Sequence, residues 1–326
     1  MNLMTACLNL KNVKRPGFHF LKLFACITLI STQTKTSAQQ IANTKEQIMA
    51  FTSQWKGERF ADGRPKVSDS LVKRLANISI EEAWQVMRNE GYNNQFEGGW
   101  QIIHPEKTLA GRVVTAQYMP ARPDVDNPIR AKGKAEGRIG SPNSWPIDVL
   151  QNGDVYVADG YSKIIDGTLI GDNLGNSIYS KSKTGVVFDA GVRDLEGLEE
   201  IDGFVGFVRG VDPSYIKDVM MTCINCPVRI GRVTALPGDL VLGKKEGVIF
   251  IPAHLAQKVI ITSEFVELKD DFSHTRLREG KYTPGQIDQS WTEDIKKDFL
   301  QWLKDNPAKV PMSKKELDDF LKDRTW

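Results

Sequence analysis

The residues best suited to chemistry lie in the middle of the chain. Gly171-Asp172-Asn173-Leu174 opens a predicted helix, and Arg193-Asp194 follows a predicted strand. The helix leads the chain away from one end of a sheet and the strand brings it back, so Asp172, Arg193 and Asp194 are expected to meet there. In α/β proteins, ligands usually bind at this end. The spacing therefore predicts a ligand site built from two carboxylates and a guanidinium.

A structural role would explain the same residue types. Asp172 would then be a helix N-terminal charge or cap, which stabilises a helix by about 0.5–2 kcal/mol. Arg193-Asp194 would be a surface ion pair or the start of a second helix. Spacing alone leaves both interpretations open.

The elements that would position this site are short, Val- and Ile-rich segments separated by Gly, Pro and Asp. The predicted strands are Arg112–Tyr118, Asp154–Ala158, Gly185–Asp189, Gly203–Val208, Arg229–Ala235, Leu240–Leu242 and Val248–Ile251. Asp172–Lys183 is the predicted helix, and Pro123–Trp145 is predicted to be a long surface loop. Strands interleaved with short helices indicate an α/β core buried on both sides.

The segments that flank this core are predicted to be mostly helical. Residues 39–108 form the expected N-terminal extension, in which Ser79 and Glu82 make a capping box. Residues 263–326 form the expected C-terminal extension. It contains two more such boxes, Ser290 with Glu293 and Ser313 with Glu316. Because this tail is too polar to fold alone, we expect it to pack on its own core or on a neighbouring subunit.

The first 38 residues have the order of an export signal. A basic stretch ends at Lys22, an apolar run covers Leu23–Thr32, and Thr36-Ser37-Ala38 supplies small residues for cleavage. We expect cleavage after Ala38 and a periplasmic or secreted mature protein. A disordered or membrane-associated leader is the alternative. No later segment is long and apolar enough to span a bilayer, so no membrane span is expected after cleavage.

The distribution of charge limits the class of partner. The formal net charge is +2, but residues 1–38 contain five basic residues and no acid. The remaining chain carries 38 basic against 41 acidic residues, a net of −3. This does not predict a nucleic-acid partner.

Cys223 and Cys226 form the pattern CINC. Such a pair is half of a zinc site, a redox pair, or a structural pair of packed or disulfide-bonded thiols. A zinc site needs two more ligands, and a redox thiol usually opens a helix, whereas Pro227 leads into a predicted strand. A structural role is the favoured interpretation.

Two stretches resemble the RraA-like family, which includes metal-dependent 4-hydroxy-4-methyl-2-oxoglutarate aldolases. They are GDVYVADGYSKIIDGTLIGDNLGNSIYSKSKTGVVFDAGVRD and PVRIGRVTALPGDLVLGKKEGVIFIP. The resemblance implies an α/β fold with an RraA-like swivelling β/β/α-type sandwich core over residues 109–262. It also implies a homotrimer or homohexamer.

The resemblance also implies roles for the residues of the predicted site. The backbone of Gly171, Asp172, Asn173 and Leu174 would hold a pyruvate-like oxygen or carboxylate at a helix N-terminus. Arg193 would bind the carboxylate with two N–H groups, and Asp194 would hold Mg²⁺ or Mn²⁺. Asp172 would help to move a proton. A carboxylate from the C-terminal segment of a neighbouring subunit, Glu267 or Glu279, is expected to complete the site.

Three functions remain open at this point. The first is a lyase that cleaves a 4-hydroxy-2-oxo acid to pyruvate, with oxaloacetate decarboxylation as a side activity. The second is a non-enzymatic binding protein, like family relatives that inhibit a ribonuclease. The third is an exported metal enzyme that acts on a different small 2-oxo acid or sugar acid.

Overall fold

The computed structural model describes residues 40–322, so the predicted signal lies outside the described part. The strands are β1 (Phe96–Glu97), β2 (Gln101–Ile103), β3 (Leu109–Pro120), β4 (Asp154–Thr168), β5 (Gly185–Val192), β6 (Val205–Val211), β7 (Val219–Ile224), β8 (Val228–Ile230), β9 (Val233–Ala235), β10 (Leu240–Lys244) and β11 (Gly247–Ile251). The α-helices are α1 (Lys45–Phe51), α2 (Asp69–Leu75), α3 (Ile80–Asn89), α4 (Pro123–Ala135), α5 (Trp145–Asp148), α6 (Asp172–Ser182), α7 (Leu195–Glu199), α8 (Ala256–Arg278), α9 (Pro284–Ile287), α10 (Glu293–Asp305) and α11 (Lys314–Lys322).

The main sheet has the order β1-β11-β10-β3-β4-β5-β6-β2, and β7 pairs with the second half of β3. The four central strands, β3 to β6, are parallel, while the strands toward both edges are antiparallel. A parallel strand covered on both faces is typically a continuous apolar run. β5, with the sequence GVVFDAGV, is buried along its whole length.

The two faces of the sheet are covered by different layers. On one face, Val186 and Phe188 of β5 belong to a cluster that includes Ile178 of α6 and Leu198 of α7. On the other face, Val187 belongs to a cluster that includes the β8–β9 hairpin. A hairpin, a sheet and a helical layer form the predicted β/β/α sandwich, and the α/β fold class is confirmed.

The N-terminal extension is anchored to the sheet by a buried ion pair. Both terminal nitrogens of Arg64 contact the carboxylate of Asp154 at the start of β4, at 3.1 and 3.0 Å. Both side chains are fully buried. The helical character expected of residues 39–108 ends at Asn89, because β1 and β2 pair with the two edges of the sheet.

The C-terminal segment packs on a core of its own. Phe272 of α8 and Phe299 and Trp302 of α10 form an aromatic cluster with ring centroids 5.3–6.2 Å apart. The predicted Ser313–Glu316 capping box is present. The predicted box at Ser290 is wrong, because α10 begins at Glu293 and its N-cap is Thr292.

The segment Pro123–Trp145 is not the predicted surface loop. It contains α4, whose Ile129 is buried and whose Gly133 lies against the ring of Trp145, where a Cβ would be 2.2 Å from that ring. Pro123 occupies the first helical position, where proline is tolerated. The local sequence does not predict this helix, because the helix depends on the tertiary contact between Gly133 and Trp145.

No helix within residues 40–322 is long and apolar enough to cross a membrane.

Candidate functional site

The connection that follows β4 and the exit of β5 are held together by backbone hydrogen bonds. Leu169 N–H donates to Gly191 O at 2.9 Å, and Arg193 N–H donates to Ile170 O at 3.0 Å. Gly171 is therefore pressed against Asp194. A Cβ at Gly171 would lie 2.1 Å from Asp194 Oδ2, so only glycine leaves room for this carboxylate.

Gly171 is also the N-cap of α6, and no side chain caps this end of the helix within the described chain. The first N–H groups of a helix have no partner inside the helix and carry partial positive charge. The N–H of Asn173 donates to Asp172 Oδ1 at 2.7 Å. Gly171 has no side chain to cap this end, and the Asp172 carboxylate takes up only the Asn173 N–H, so the remaining N–H groups at the start of α6 have the electrostatics of an anion site.

Arg193 and Asp194 form an ion pair at the edge of this helix end. Arg193 Nη1 lies 3.0 Å from Asp194 Oδ2, and the side chains are 41% and 36% exposed. Both groups are therefore accessible to a ligand. Asp194 adopts the left-handed conformation, with φ of 56°, and precedes α7. Asp and Asn are the non-glycine residues that tolerate this conformation most readily.

Asp172 is oriented differently from the other predicted site residues. A Cβ at Gly197 of α7 would lie 2.7 Å from Asp172 Cβ and 3.0 Å from its Oδ2, so the side chain packs along α7. The structure brings Asp172 beside the helix end that Arg193 and Asp194 flank. Its carboxylate is not part of the adjoining cleft wall in the described residues.

A cleft of about 100 Å³ opens at the helix end. One water occupies about 30 Å³ of the liquid, so this space holds only a few heavy atoms. Its wall includes four of the six predicted residues, Gly171, Asn173, Leu174 and Arg193, whereas Asp172 and Asp194 are not part of it. The remaining lining residues are Asn143, Thr168, Leu169, Ile170, Tyr215 and Ile216.

Sequence reasoning missed Asn143, Tyr215 and Ile216. Asn143 lies in the segment predicted to be a loop, and its Nδ2 donates to Leu169 O at 2.8 Å. Tyr215 and Ile216 lie between β6 and β7, and β7 is a strand that was not predicted. No spacing or motif marks these three residues. The segment of Tyr215 and Ile216 reaches the cleft only because β7 pairs with β3.

The donor set of the site suits one kind of cation. No three His, Cys, Asp or Glu side chains within residues 40–322 are placed to hold a metal ion together. A tetrahedral zinc cage therefore does not fit here. A single accessible carboxylate, that of Asp194, fits Mg²⁺ or Mn²⁺, because Mg²⁺ is usually held by one or two carboxylates and keeps several waters.

Cys223 and Cys226 lie away from this cleft and are free thiols. Cys226 is buried against the β8–β9 hairpin, and Cys223 packs on the same cluster. A hydrogen bond from Cys226 lowers the pKa of the Cys223 thiol. The pair is thus packed into the sandwich, as a structural role requires.

The two carboxylates considered for a neighbouring site are engaged within their own subunit. The carboxylate of Glu279 lies 2.8 Å from Arg276 Nη1. Burial, followed by the neighbouring carboxyl of Glu82, raises the pKa of Glu267 to about 7.

A larger open groove of about 720 Å³ beside α3 is lined by Trp84 and Phe96 among others, and contains none of the predicted site residues.

The sequence profile of the RraA-like family (Aldolase/RraA) matches residues 65–250, more than half of the chain. The chain belongs to the RraA-like family. The matched region begins at residue 65, inside the segment expected to be an N-terminal extension, and ends before residue 262. Its first residue directly follows Arg64, which anchors that extension to the sheet.

Two other proteins are similar to part of this chain. Protein DlpA of Legionella pneumophila is 27% identical over 215 residues, which are 65% of this chain and 32% of DlpA. A Halalkalibacterium halodurans protein, provisionally assigned as a 4-hydroxy-4-methyl-2-oxoglutarate aldolase, is 28% identical over 123 residues, 36% of this chain and 56% of that protein. The chain thus spans about a third of the first relative and just over half of the second.

Two solved structures share the fold. RraAS2 of Streptomyces coelicolor, described as an unusual member of the RNase ES inhibitor RraA protein family, is 26% identical with a TM-score of 0.55. The match covers 65% of this chain and all of RraAS2. An uncharacterised Pseudomonas syringae protein is 20% identical with a TM-score of 0.57. The match covers 71% of this chain and 97% of that protein. The family therefore includes an assigned aldolase and ribonuclease inhibitors.

Proposed function

We propose that this protein is a divalent-metal-dependent lyase that cleaves a 4-hydroxy-2-oxo acid to pyruvate and a second carbonyl compound. The observation that carries the proposal is that the N-terminal end of α6 and Arg193 meet at one small cleft, while the accessible carboxylate of Asp194 is paired with Arg193 beside it. An anion site beside a cation site suits a 2-oxo acid, which carries a carboxylate next to a polarisable oxygen.

The chain's own groups would bind and orient the substrate. Arg193 uses Nη1 for Asp194, which leaves Nε and Nη2 to donate to the substrate carboxylate. The N–H groups at the start of α6 would donate to the same anionic end. When bound at Asp194, a divalent cation supplies positive charge beside the 2-oxo oxygen.

The reaction breaks the bond between C3 and C4 of the substrate. Its electron pair passes into the 2-oxo group as the pyruvate enolate, and the 4-hydroxyl loses its proton as C4 becomes a carbonyl. C3 then takes up a proton. Because Asp172 lies beside the cleft and not in its wall, we assign it proton transfer through a water. Oxaloacetate would lose CO₂ through the same enolate.

The decisive experiment does not require the natural substrate. The methyl protons of pyruvate should exchange with D₂O in the presence of the purified protein and Mg²⁺ or Mn²⁺, and EDTA should stop the exchange. Asp194→Asn should abolish nearly all exchange. Asp172→Asn should slow it by roughly 10²–10⁴-fold if Asp172 transfers a proton. Folded, metal-supplied protein that gives no exchange would favour the non-enzymatic binding role of the ribonuclease-inhibitor relatives.

The site and the predicted signal together favour an exported enzyme that acts as a homotrimer or homohexamer on a small 2-oxo acid. Export is supported by the pattern of residues 1–38. Trimeric assembly is supported by membership of the family.

A further inference from the structure

The cleft at the end of α6 adjoins a larger cavity. This second cavity has a volume of about 410 Å³, which is within the usual range for small-molecule sites. Asn143, Tyr215 and Ile216 line both spaces. A ligand whose first carbons fill the 100 Å³ cleft can therefore extend past these three residues into the larger cavity.

The wall of the larger cavity contains charges of both signs in equal number. Asp126 and Arg130 come from α4, and Lys217 and Asp218 precede β7. A ligand carboxylate would face two acids as well as two bases, and an apolar chain would offer no hydrogen bonds to these groups. A hydroxyl group both donates and accepts hydrogen bonds, so a chain of hydroxyls can satisfy acids and bases together.

Asp126 has unused acceptor capacity at this wall. Its Oδ2 accepts from Arg130 Nε at 2.6 Å, whereas its buried Oδ1 has no hydrogen-bond partner in the described chain. A buried carboxylate oxygen without a donor is costly. The side chain is 15% exposed and lies in the cavity wall, and a carboxylate oxygen accepts more than one hydrogen bond, so the carboxylate keeps acceptor capacity for a ligand hydroxyl.

We infer that the larger cavity is the distal part of the substrate site and selects a 2-oxo acid with a hydroxylated, sugar-acid-like chain. Asp126 accepts from a hydroxyl of that chain, and Arg130 holds the Asp126 carboxylate in place. This inference rests on the proposed function for the orientation of the ligand, since the 2-oxo acid end occupies the cleft beside Arg193.

Binding of three six-carbon acids by calorimetry tests the inference, with the purified protein in EDTA, because the proposed lyase would cleave the hydroxylated acid if Mg²⁺ were present. A 2-oxo-3-deoxyhexonate should bind about 10–100-fold more tightly than 2-oxohexanoate, which lacks the hydroxyls. It should also bind more tightly than 2-oxoadipate, which ends in a carboxylate. Asp126→Ala and Asp126→Asn should each reduce the preference for the hydroxylated acid by about tenfold or more.

Asp124→Asn is the matched control. Asp124 occupies the same first turn of α4, is 65% exposed and pairs with Arg122 outside the cavity, so its replacement should leave the preference unchanged. Tightest binding of 2-oxoadipate, or equal binding of the hydroxylated and plain acids by the wild-type protein, would overturn the inference whatever the variants do. Because these are binding measurements, they are separate from pyruvate exchange, whose failure would instead remove the proposed lyase activity.

Discussion

At the scale of single residues, the guanidinium of Arg193 is 41% exposed and uses only Nη1 in its pair with Asp194. Arg193→Ala should weaken pyruvate binding by about 10–100-fold, because it removes hydrogen bonds to a charged group. Arg193→Lys should recover only part of the affinity, because an ammonium cannot donate two parallel N–H groups to a carboxylate. Calorimetric titration with pyruvate measures both effects.

Arg122→Ala is the control for this prediction, since Arg122 is an exposed arginine that forms an ion pair with Asp124. Its replacement should leave pyruvate affinity at the wild-type value. Equal affinity of the wild-type and Arg193→Ala proteins would show that the carboxylate is bound elsewhere, and the orientation proposed for the substrate would then be wrong.

At the scale of elements, α3 of the N-terminal extension packs on α8 across two carboxyl groups, Glu82 and Glu267. Burial, followed by the charge of Glu82, raises the pKa of Glu267 to about 7, and Lys244 lowers it only in part. Burial also raises the pKa of Glu82. A carboxyl whose pKa is raised on folding stabilises the folded state when it is protonated. This stabilisation is complete below the pKa of the unfolded chain, about 4.3, and is lost as the pH rises through the folded pKa of about 7.

Glu267→Gln removes one of the two charges and should therefore reduce the loss of folding stability at high pH. We expect the Tm at pH 8 to rise by about 2–4 °C, which corresponds to about 1 kcal/mol in a domain of this size and allows for solvent screening of a half-exposed pair. At pH 5 the change should be smaller. Thermal unfolding from pH 5 to 8 measures it, with Glu81→Gln, an exposed position on α3, as the control. A Tm profile identical to the wild type at every pH would contradict the prediction.

At the scale of the whole molecule, we expect the mature protein to be a trimer or a multiple of it. Closed symmetric assembly is the usual arrangement of soluble oligomers, and the resemblance to the family predicts three-fold association. Light scattering coupled to size-exclusion chromatography gives the molar mass directly. A monomer at micromolar concentration would count against this assembly and against any residue shared between subunits.

The predicted export is a separate property of the whole chain. We expect the native protein to begin at Gln39, because Thr36-Ser37-Ala38 supplies the small residues at which a signal is cleaved. Mass analysis of the N-terminal peptide from the producing cells identifies the start of the chain. An intact Met1 in a cytoplasmic fraction would rule out the signal.

The sequence by itself determined the α/β core with its central strands and α6, and the family resemblance implied the β/β/α sandwich. Strands such as β5 are apolar along their length, and a glycine with a charged helix start marks the beginning of α6, so local patterns are enough to find them. The same spacing was enough to nominate Asp172, Arg193 and Asp194 as neighbours, and the structure pairs Arg193 with Asp194 while Asp172 packs along α7.

Only the tertiary structure decided what surrounds those residues. The helix α4 forms because Gly133 fits beneath Trp145, and β7 forms because it pairs with the second half of β3. Both depend on partners distant in sequence, which leave no periodic signal in the segments themselves. For the same reason Asn143, Tyr215 and Asp126 could not be predicted from sequence. Their position beside the cleft is set by how α4 and the β6–β7 connection pack on the sheet.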